Sequence, residues 1–240
     1  MIMRRLSTSI RKQDWFTVLI EMLIVVLGVY LGIQLGNWNE ANRNNARLIG
    51  ALERLEGEVR TNIDIANDLV AIIEEEQDER VVALEVLQFC TADEAQMDAL
   101  NIAITSTIRD YAPSFIDNSF SELLGRDELL DLLSSEFRQV MGGYRGQLTE
   151  DQDQFNTNFN LMWMDHLIRS PMVGVDFEGE EGSPRLVLAT GIEEACADPR
   201  FQVQLLTTVS FIMGLRLRAE RFVEESEAFL ASIQSERGAL

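Results

Sequence analysis

Histidine is almost absent from this sequence, in which His166 is the only one. Sites that need several histidines, among them many zinc sites, are therefore excluded, and one imidazole is left that could act as a general base. Trp163 and Met164 place His166 on an apolar helical segment. Because neither a G-x-S-x-G elbow nor a cysteine-protease motif accompanies it, we expect a structural or surface histidine and no catalytic residue.

Basic residues are also scarce. Beyond Leu35 the chain has 16 basic and 38 acidic residues, a net charge of −22. Such a domain repels phosphate backbones, and no basic stripe interrupts it, so we predict no nucleic-acid partner.

Phosphate-loop and dinucleotide motifs are missing as well, and no cofactor is predicted. Cations or basic protein surfaces remain as partners, and the alternative is a solvated acidic surface without a specific partner.

One acidic loop resembles part of a calcium-binding loop. Asp176, Glu178 and Glu180 alternate as its first three ligands do. However, Glu181 stands where the loop requires glycine, and Val187 stands where the bidentate glutamate belongs. We therefore expect a flexible, solvated loop and no metal site.

The N-terminal region carries the one long apolar run. Phe16 to Leu35 reads FTVLIEMLIVVLGVYLGIQL, with Glu21 as its only ionisable acid or base. Its length suits a helix that crosses about 30 Å of hydrocarbon, and Trp15 and Trp38 bracket it as interface anchors. We predict a transmembrane helix over residues 15–38. A cleavable signal peptide is the competing interpretation, but the run is too long and no A-x-A site follows it.

Charge asymmetry predicts the orientation of this helix. Basic residues at positions 4, 5, 11 and 12 precede it, whereas only Arg43 and Arg47 follow closely. The positive-inside rule then places segment 1–14 in the cytoplasm and domain 39–240 in the periplasm, with the helix in the bacterial inner membrane.

Glycines line one side of the predicted span. Gly28, Gly32 and Gly36 recur every four residues, as they do in closely packed membrane helices, and Glu21 lies within about 20° of Gly28 at 100° per residue. These four residues predict a packing face for a second copy or another membrane subunit. Glycine is common in membrane helices, however, and Glu21 could reach the headgroups, so a plain anchor stays open.

The remainder predicts an all-α fold in which the membrane helix continues into an elongated antiparallel bundle. A core stripe runs from Leu48 to Ile73. The charged run 74–80 predicts a solvated stretch or a break. Thr91 and Glu94 form a capping-box pattern for a helix that Pro113 ends.

Farther along, Ser121 to Gly125 predicts a short helix, and Asp127 starts another through Val140 that Gly142-Gly143 could kink or divide. Residues 170–199 read as an irregular loop in which Arg185–Ala189 could form a short strand or an extended arm. A final helix over Asp198–Ile233 carries a 3.5-residue apolar repeat, which predicts coiled-coil-like packing against the first helix.

Cys90 and Cys196 are the only cysteines. Each stands just ahead of a predicted helix cap, and an antiparallel bundle brings both to the end far from the membrane. In an oxidising compartment this predicts a disulfide, with two buried free thiols as the alternative.

Two sequence blocks carry a family resemblance. Glu21 to Glu40, ending in Asn37-Trp38-Asn39-Glu40, resembles the start of a family of uncharacterised bacterial single-pass membrane proteins. Ser121 to Tyr144 is similar to that family's leucine-rich middle block, although Gly143-Tyr144 replaces its paired tyrosines. The resemblance implies a single-pass helical membrane protein and no particular activity.

These observations favour a membrane-tethered, non-catalytic interaction or scaffold protein, either a homo-oligomer or an accessory subunit of an envelope membrane complex. The alternative is an extracytoplasmic, sensor-like helical bundle that binds a ligand.

Overall fold

A computed structural model describes residues 15–164, 167–177 and 184–240, and in these the chain is all-α apart from one small hairpin. The helices are α1 (Trp15–Glu75), α2 (Gln77–Phe89), α3 (Glu94–Ser106), α4 (Asn118–Leu124), α5 (Asp127–Leu130), α6 (Ser135–Met164), α7 (Ile192–Ala197) and α8 (Pro199–Ala239). A 3₁₀ turn lies at Leu167–Arg169, and strands β1 (Val173–Asp176) and β2 (Arg185–Leu188) pair antiparallel. The chain divides into two compact units, Met1–Gly50 and Ala51–Leu240.

Helix α1 is uninterrupted from Trp15 to Glu75, which confirms that the apolar segment continues as one helix into the chain that follows. Its second half packs antiparallel to α8. The Glu56 carboxylate accepts a hydrogen bond from Arg237 at 2.7 Å, and the Glu74 carboxylate accepts one from Arg216 at 2.9 Å, so the two helices run in opposite directions. The predicted apolar repeat of α8 is buried at every position, from Phe201 through Ile233. The coiled-coil-like pattern therefore identified the core face of this helix.

Helix α6 is also antiparallel to α8. Tyr144 shares a hydrogen bond of 2.8 Å with Ser226, and Asp151 accepts from Arg218 at 3.2 Å. Aromatic rings fill the space between these helices and the chain before α4. The closest stacked pairs are Phe115 with Phe222 at 4.1 Å and Tyr144 with Phe229 at 4.3 Å between ring centroids.

A segment without regular secondary structure, residues 112–117, is held between α1 and α6. The side-chain amide of Asn62 donates to the carbonyl of Ile116 and accepts from its N–H, both at 2.8 Å. Gln152 on α6 makes a similar pair of hydrogen bonds. It accepts one from the N–H of Phe115 at 2.8 Å and donates one to the carbonyl of Pro113 at 2.7 Å. Two amide side chains thus supply the hydrogen bonds that this segment lacks as secondary structure.

A second core joins α2, α3, the hairpin and the start of α8, with Val86, Leu100, Ile104, Phe201 and Leu205 at its centre. Strand β2 is held by α3. Thr105 bonds both the N–H and the carbonyl of Leu186, at 3.1 and 2.9 Å, and Asn101 accepts from the N–H of Leu188 at 2.9 Å. The short strand that the sequence allowed at Arg185–Ala189 is present as β2.

Three predicted helix boundaries were wrong. Helix α3 is capped by Asp93 and Gln96, whose side chains bond each other's backbone N–H in a capping box two residues after Thr91. The helix predicted from Asp127 to Val140 is divided, because Ser134 Oγ accepts from the N–H of Phe137 at 3.1 Å and starts α6 anew. Gly142 and Gly143 do not divide α6, which is one helix from Ser135 to Met164.

Candidate functional site

The apolar part of α1 is exposed on every side. Thirteen large apolar side chains between Leu19 and Leu35 are each at least 40% exposed, and Met22, Val25 and Leu35 reach 69, 64 and 64%. At 100° per residue such a continuous run covers the whole circumference of the helix. Apolar surface of this extent is not left in water by a soluble monomer, so this segment is the first candidate for a functional surface. By length and composition, α1 is long and apolar enough to span a membrane.

The glycine face of this helix is open. A Cβ atom added at Gly28, Gly32 or Gly36 meets no other atom within 4 Å, and Glu21 on the same side is exposed. No described residue of the chain therefore packs against this face, and bulkier side chains fit there without a clash inside the chain.

Trp38 marks the far end of the apolar segment and is 65% exposed. It lies 23 residues after Trp15 in the same helix, which corresponds to about 34 Å along the axis. This distance suits two interface anchors on either side of a hydrocarbon layer, although their role stays a prediction.

The predicted disulfide between Cys90 and Cys196 was wrong. The two thiols are neighbours, but both are free and they are not at disulfide distance. Both are directed at one acceptor, the carbonyl of Leu87, at 3.5 Å from Cys90 Sγ and 3.8 Å from Cys196 Sγ. Cys90 also ends α2 with φ 53°, a left-handed conformation that favours glycine. The shared carbonyl and the helix end therefore fix the thiols side by side without a bond.

Burial, together with the adjacent Cys90 thiol, raises the pKa of Cys196 to about 12. Since thiolate is the reactive form of cysteine, the raised pKa of Cys196 disfavours its reactive form at neutral pH. The pair is thus a packing element near the start of α8.

A buried ion-pair cluster lies where α1 ends and α2 begins. Arg80 is 1% exposed, pairs with Glu76 at 3.3 Å and also donates to the carbonyl of Ile73. Glu76 has a second partner in Arg109, at 2.5 Å. Burial raises the pKa of the Glu76 carboxyl even though both arginines lower it. The predicted break in the charged run is confirmed, but Glu76 and Arg80 in this run are buried, whereas Glu74, Glu75 and Asp78 are exposed.

Sequence reasoning missed Arg80, although a signal was present. Ala66, Leu69 and Ile73 follow the core spacing of α1, and continuing it by three, four and three residues reaches Glu76, Arg80 and Ala83. A charged pair in core positions predicts a buried ion pair rather than a solvated run.

A groove of about 320 Å³ lies beside this cluster, with Glu76, Thr105 and Arg109 in its wall. Both of its arginines are already paired, Arg109 with Glu76 and Arg185 with Asp98 at 3.1 Å. An incoming anion would therefore compete with carboxylates that are already in place.

Within the described parts of the chain, no group of three or more histidine, cysteine, aspartate or glutamate side chains is arranged to hold a metal ion. His166, segment 1–14 and the acidic residues Glu178, Glu180 and Glu181 lie outside the described residues.

Comparisons with protein-family models, curated proteins and solved structures gave no match. The resemblance carried by Asn37–Glu40 and Ser121–Tyr144 stays a prediction.

Proposed function

We propose that this chain is a membrane-tethered, non-catalytic interaction or scaffold protein, either self-associating or an accessory subunit of an envelope membrane complex. The observation that carries the proposal is the all-round exposure of the apolar side chains between Leu19 and Leu35. A helix that is apolar on every face needs lipid or protein around it, and its length fits a bilayer.

In this proposal the anchor lies in the bacterial inner membrane, with segment 1–14 in the cytoplasm and residues 39–240 in the periplasm. Four basic residues before the span, against only Arg43 and Arg47 close after it, support this orientation.

Membrane insertion and orientation are tested separately. The full chain should resist extraction by alkaline carbonate, and the double variant Leu27→Asp, Leu31→Asp should be released, because two carboxylates oppose insertion. A C-terminal alkaline-phosphatase fusion should be active, and a green fluorescent fusion at the same point should be dark. A soluble wild-type chain would overturn the anchor, and the reverse reporter pattern would overturn the orientation alone.

The non-catalytic role is supported by the raised pKa of the Cys196 thiol and by the paired arginines of the groove, which leave these groups without an evident chemical task. Purification of the tagged full chain from native membranes in mild detergent should recover a stoichiometric protein partner or a second copy. Recovery of the chain alone, as a monomer, would contradict the proposal.

A ligand-binding bundle is the second candidate, and the groove beside Glu76, Thr105 and Arg109 is what favours it. It predicts a small molecule that co-purifies with the wild-type chain and is lost in Arg109→Ala. Arg60→Ala, at an exposed ion pair on α1, is the matched control.

A further inference from the structure

Helix α8 carries a second apolar stripe on the face opposite its buried one. Val203, Leu206, Met213 and Leu217 are 61, 52, 37 and 56% exposed. Exposed Ser210 completes a pattern that advances in alternating steps of three and four residues, and exposed Gly214 lies next to Met213 on the same face. These six residues are called the outer stripe. It is about 21 Å long at 1.5 Å per residue, and its steps are those of a helix that packs against another helix.

The outer stripe lies in an unusual electrostatic setting. Residues 199–219 contain no acidic residue, and this is the longest acid-free stretch of a chain with net charge −20. Asp198 and Glu220 stand directly at its two ends. The face of α8 between them therefore exposes the outer stripe and Thr207 without a carboxylate from α8 itself. Arg200 is exposed at its start, and Arg216 and Arg218 are partly buried and paired with Glu74 and Asp151.

This charge pattern identifies the occupant. A basic partner would be attracted to the acidic surface elsewhere on the domain and would gain nothing from an acid-free stripe. An acidic partner is repelled everywhere except at such a stripe. A second copy of this chain is an acidic partner, and like-charge repulsion between copies is smallest where both present the outer stripe.

The shape of the stripe also suits pairing with itself. Ser210 is its midpoint, so a two-fold axis beside Ser210 places the stripes of two copies against each other along their whole length. A Cβ atom at Gly214 would meet nothing within 4 Å, which leaves room for a side chain of the second copy to approach the backbone.

We propose that the outer stripe is a self-association surface whose occupant is the same stripe on a second copy. A contact of this length is small and forms a weak dimer in solution. Two chains held in one membrane meet at a higher effective concentration, and this part of the inference rests on the proposed function.

Photo-crosslinking of the full chain in native membranes tests the occupant. A benzoylphenylalanine at Met213 should give a crosslinked dimer, and co-expression with a longer tagged copy should add a band of intermediate size. The control is the same residue at Val81, which is 43% exposed on α2 outside the stripe. The dimer yield at Met213 should exceed the control by about tenfold. Equal yields, no dimer, or crosslinking only to a different protein would overturn the inference.

A charge-insertion pair provides the second measurement. Leu206→Glu with Leu217→Glu should lower the dimer fraction of the purified full chain about tenfold, because burying unpaired carboxylates opposes association. Val81→Glu with Ile108→Glu is the matched control at side chains that are 43 and 39% exposed. Helical circular dichroism checks that every variant folds. An unchanged dimer in the Leu206, Leu217 variant would overturn the inference, whereas carbonate extraction reports independently on the membrane anchor.

Discussion

Asn62 on α1 makes both backbone hydrogen bonds of Ile116, with each atom pair 2.8 Å apart. The side-chain amide makes the pair of backbone hydrogen bonds that a neighbouring β-strand would otherwise make to segment 112–117. Asn62 is itself fully buried. One polar residue in an apolar stripe therefore fixes this segment against α1.

Asn62→Ala should destabilise the second unit by roughly 1–3 kcal/mol, because it leaves the half-buried N–H and carbonyl of Ile116 without their partner. Urea unfolding of the full chain in detergent, followed by circular dichroism, measures the loss. Asn67→Ala, at an exposed position of the same helix, should change the unfolding free energy by less than about 0.5 kcal/mol. Similar losses in the two variants would show that the Asn62 pair is not a main constraint.

The Asn62 case shows what the sequence could predict of this fold. The periodicity of α1 and α8 predicted their core faces because each is a long amphipathic pattern that local spacing determines. Asn62 was visible as a polar residue in a core position, but its partner Ile116 is 54 residues away and belongs to no regular element. Such long-range pairing leaves no local pattern. The start of α6 at Ser134 was not predicted for the same reason. The N–H of Ser134 donates to the carboxylate of Glu236, 102 residues later in the chain, at 2.7 Å.

Arg80→Ala should cost about 3–5 kcal/mol of unfolding free energy, because it leaves the buried carboxylate of Glu76 with one partner fewer and opens a cavity. Arg60→Ala removes a salt bridge of the same i, i+4 spacing whose arginine is 54% exposed, and it should cost at most about 1 kcal/mol. Both values come from urea titrations of the full chain. Equal effects would mean that burial does not distinguish these two ion pairs.

Alkaline pH should destabilise the fold through its buried tyrosines. Burial raises the pKa of Tyr144 to about 12, although the hydrogen bond between Tyr144 and Ser226 lowers it, and burial also raises the pKa of Tyr111. A raised folded-state pKa stabilises the fold fully below the unfolded value, about 10, and this contribution is lost as the pH rises toward 12. Tyr144 alone accounts for roughly 2–3 kcal/mol over that interval.

Urea unfolding at pH 9, 10 and 11 measures this loss. Tyr144→Phe should be less stable than wild type at pH 9, since Ser226 loses its partner, yet its stability should fall less steeply with pH. A slope that is unchanged in Tyr144→Phe would assign the pH dependence to other groups.

The thiols provide a test of the corrected cysteine assignment. Without reductant, the denatured chain should react with two equivalents of Ellman's reagent, because Cys90 and Cys196 are free. In the folded chain at pH 8, Cys196 should react at least about tenfold more slowly than in the denatured chain, since its thiol is half-buried and its pKa is raised. Zero equivalents before reduction would restore the disulfide interpretation.

Cysteine spacing alone could not decide between these outcomes. The sequence correctly predicted that Cys90 and Cys196 lie close together, because the order of the helices determines which helix ends meet. Whether the sulfurs bond depends on the geometry of a few atoms. Here the carbonyl of Leu87 accepts from both thiols, and no sequence pattern reports such a shared acceptor.

The glycine face of the apolar part of α1 predicts a second assembly surface, distinct from the outer stripe of α8. Gly28→Leu with Gly32→Leu keeps the helix apolar and introduces no clash inside the chain, since a Cβ atom at either position meets nothing within 4 Å. It does block the close approach of another helix backbone. The variant should therefore still fractionate with membranes but lose a co-purifying subunit or oligomer in mild detergent, and Glu21→Gln should show a smaller loss.

Leu23→Phe with Leu27→Phe is the matched control, because these residues lie on the opposite side of the helix and the added rings leave the glycine face untouched. Its assembly should equal that of wild type. An unchanged complex in the glycine variant would assign assembly to residues 51–240, where Leu206→Glu with Leu217→Glu should then be the variant that dissociates it. Loss in both the glycine variant and the control would point to general lipid packing of the anchor rather than to a specific face.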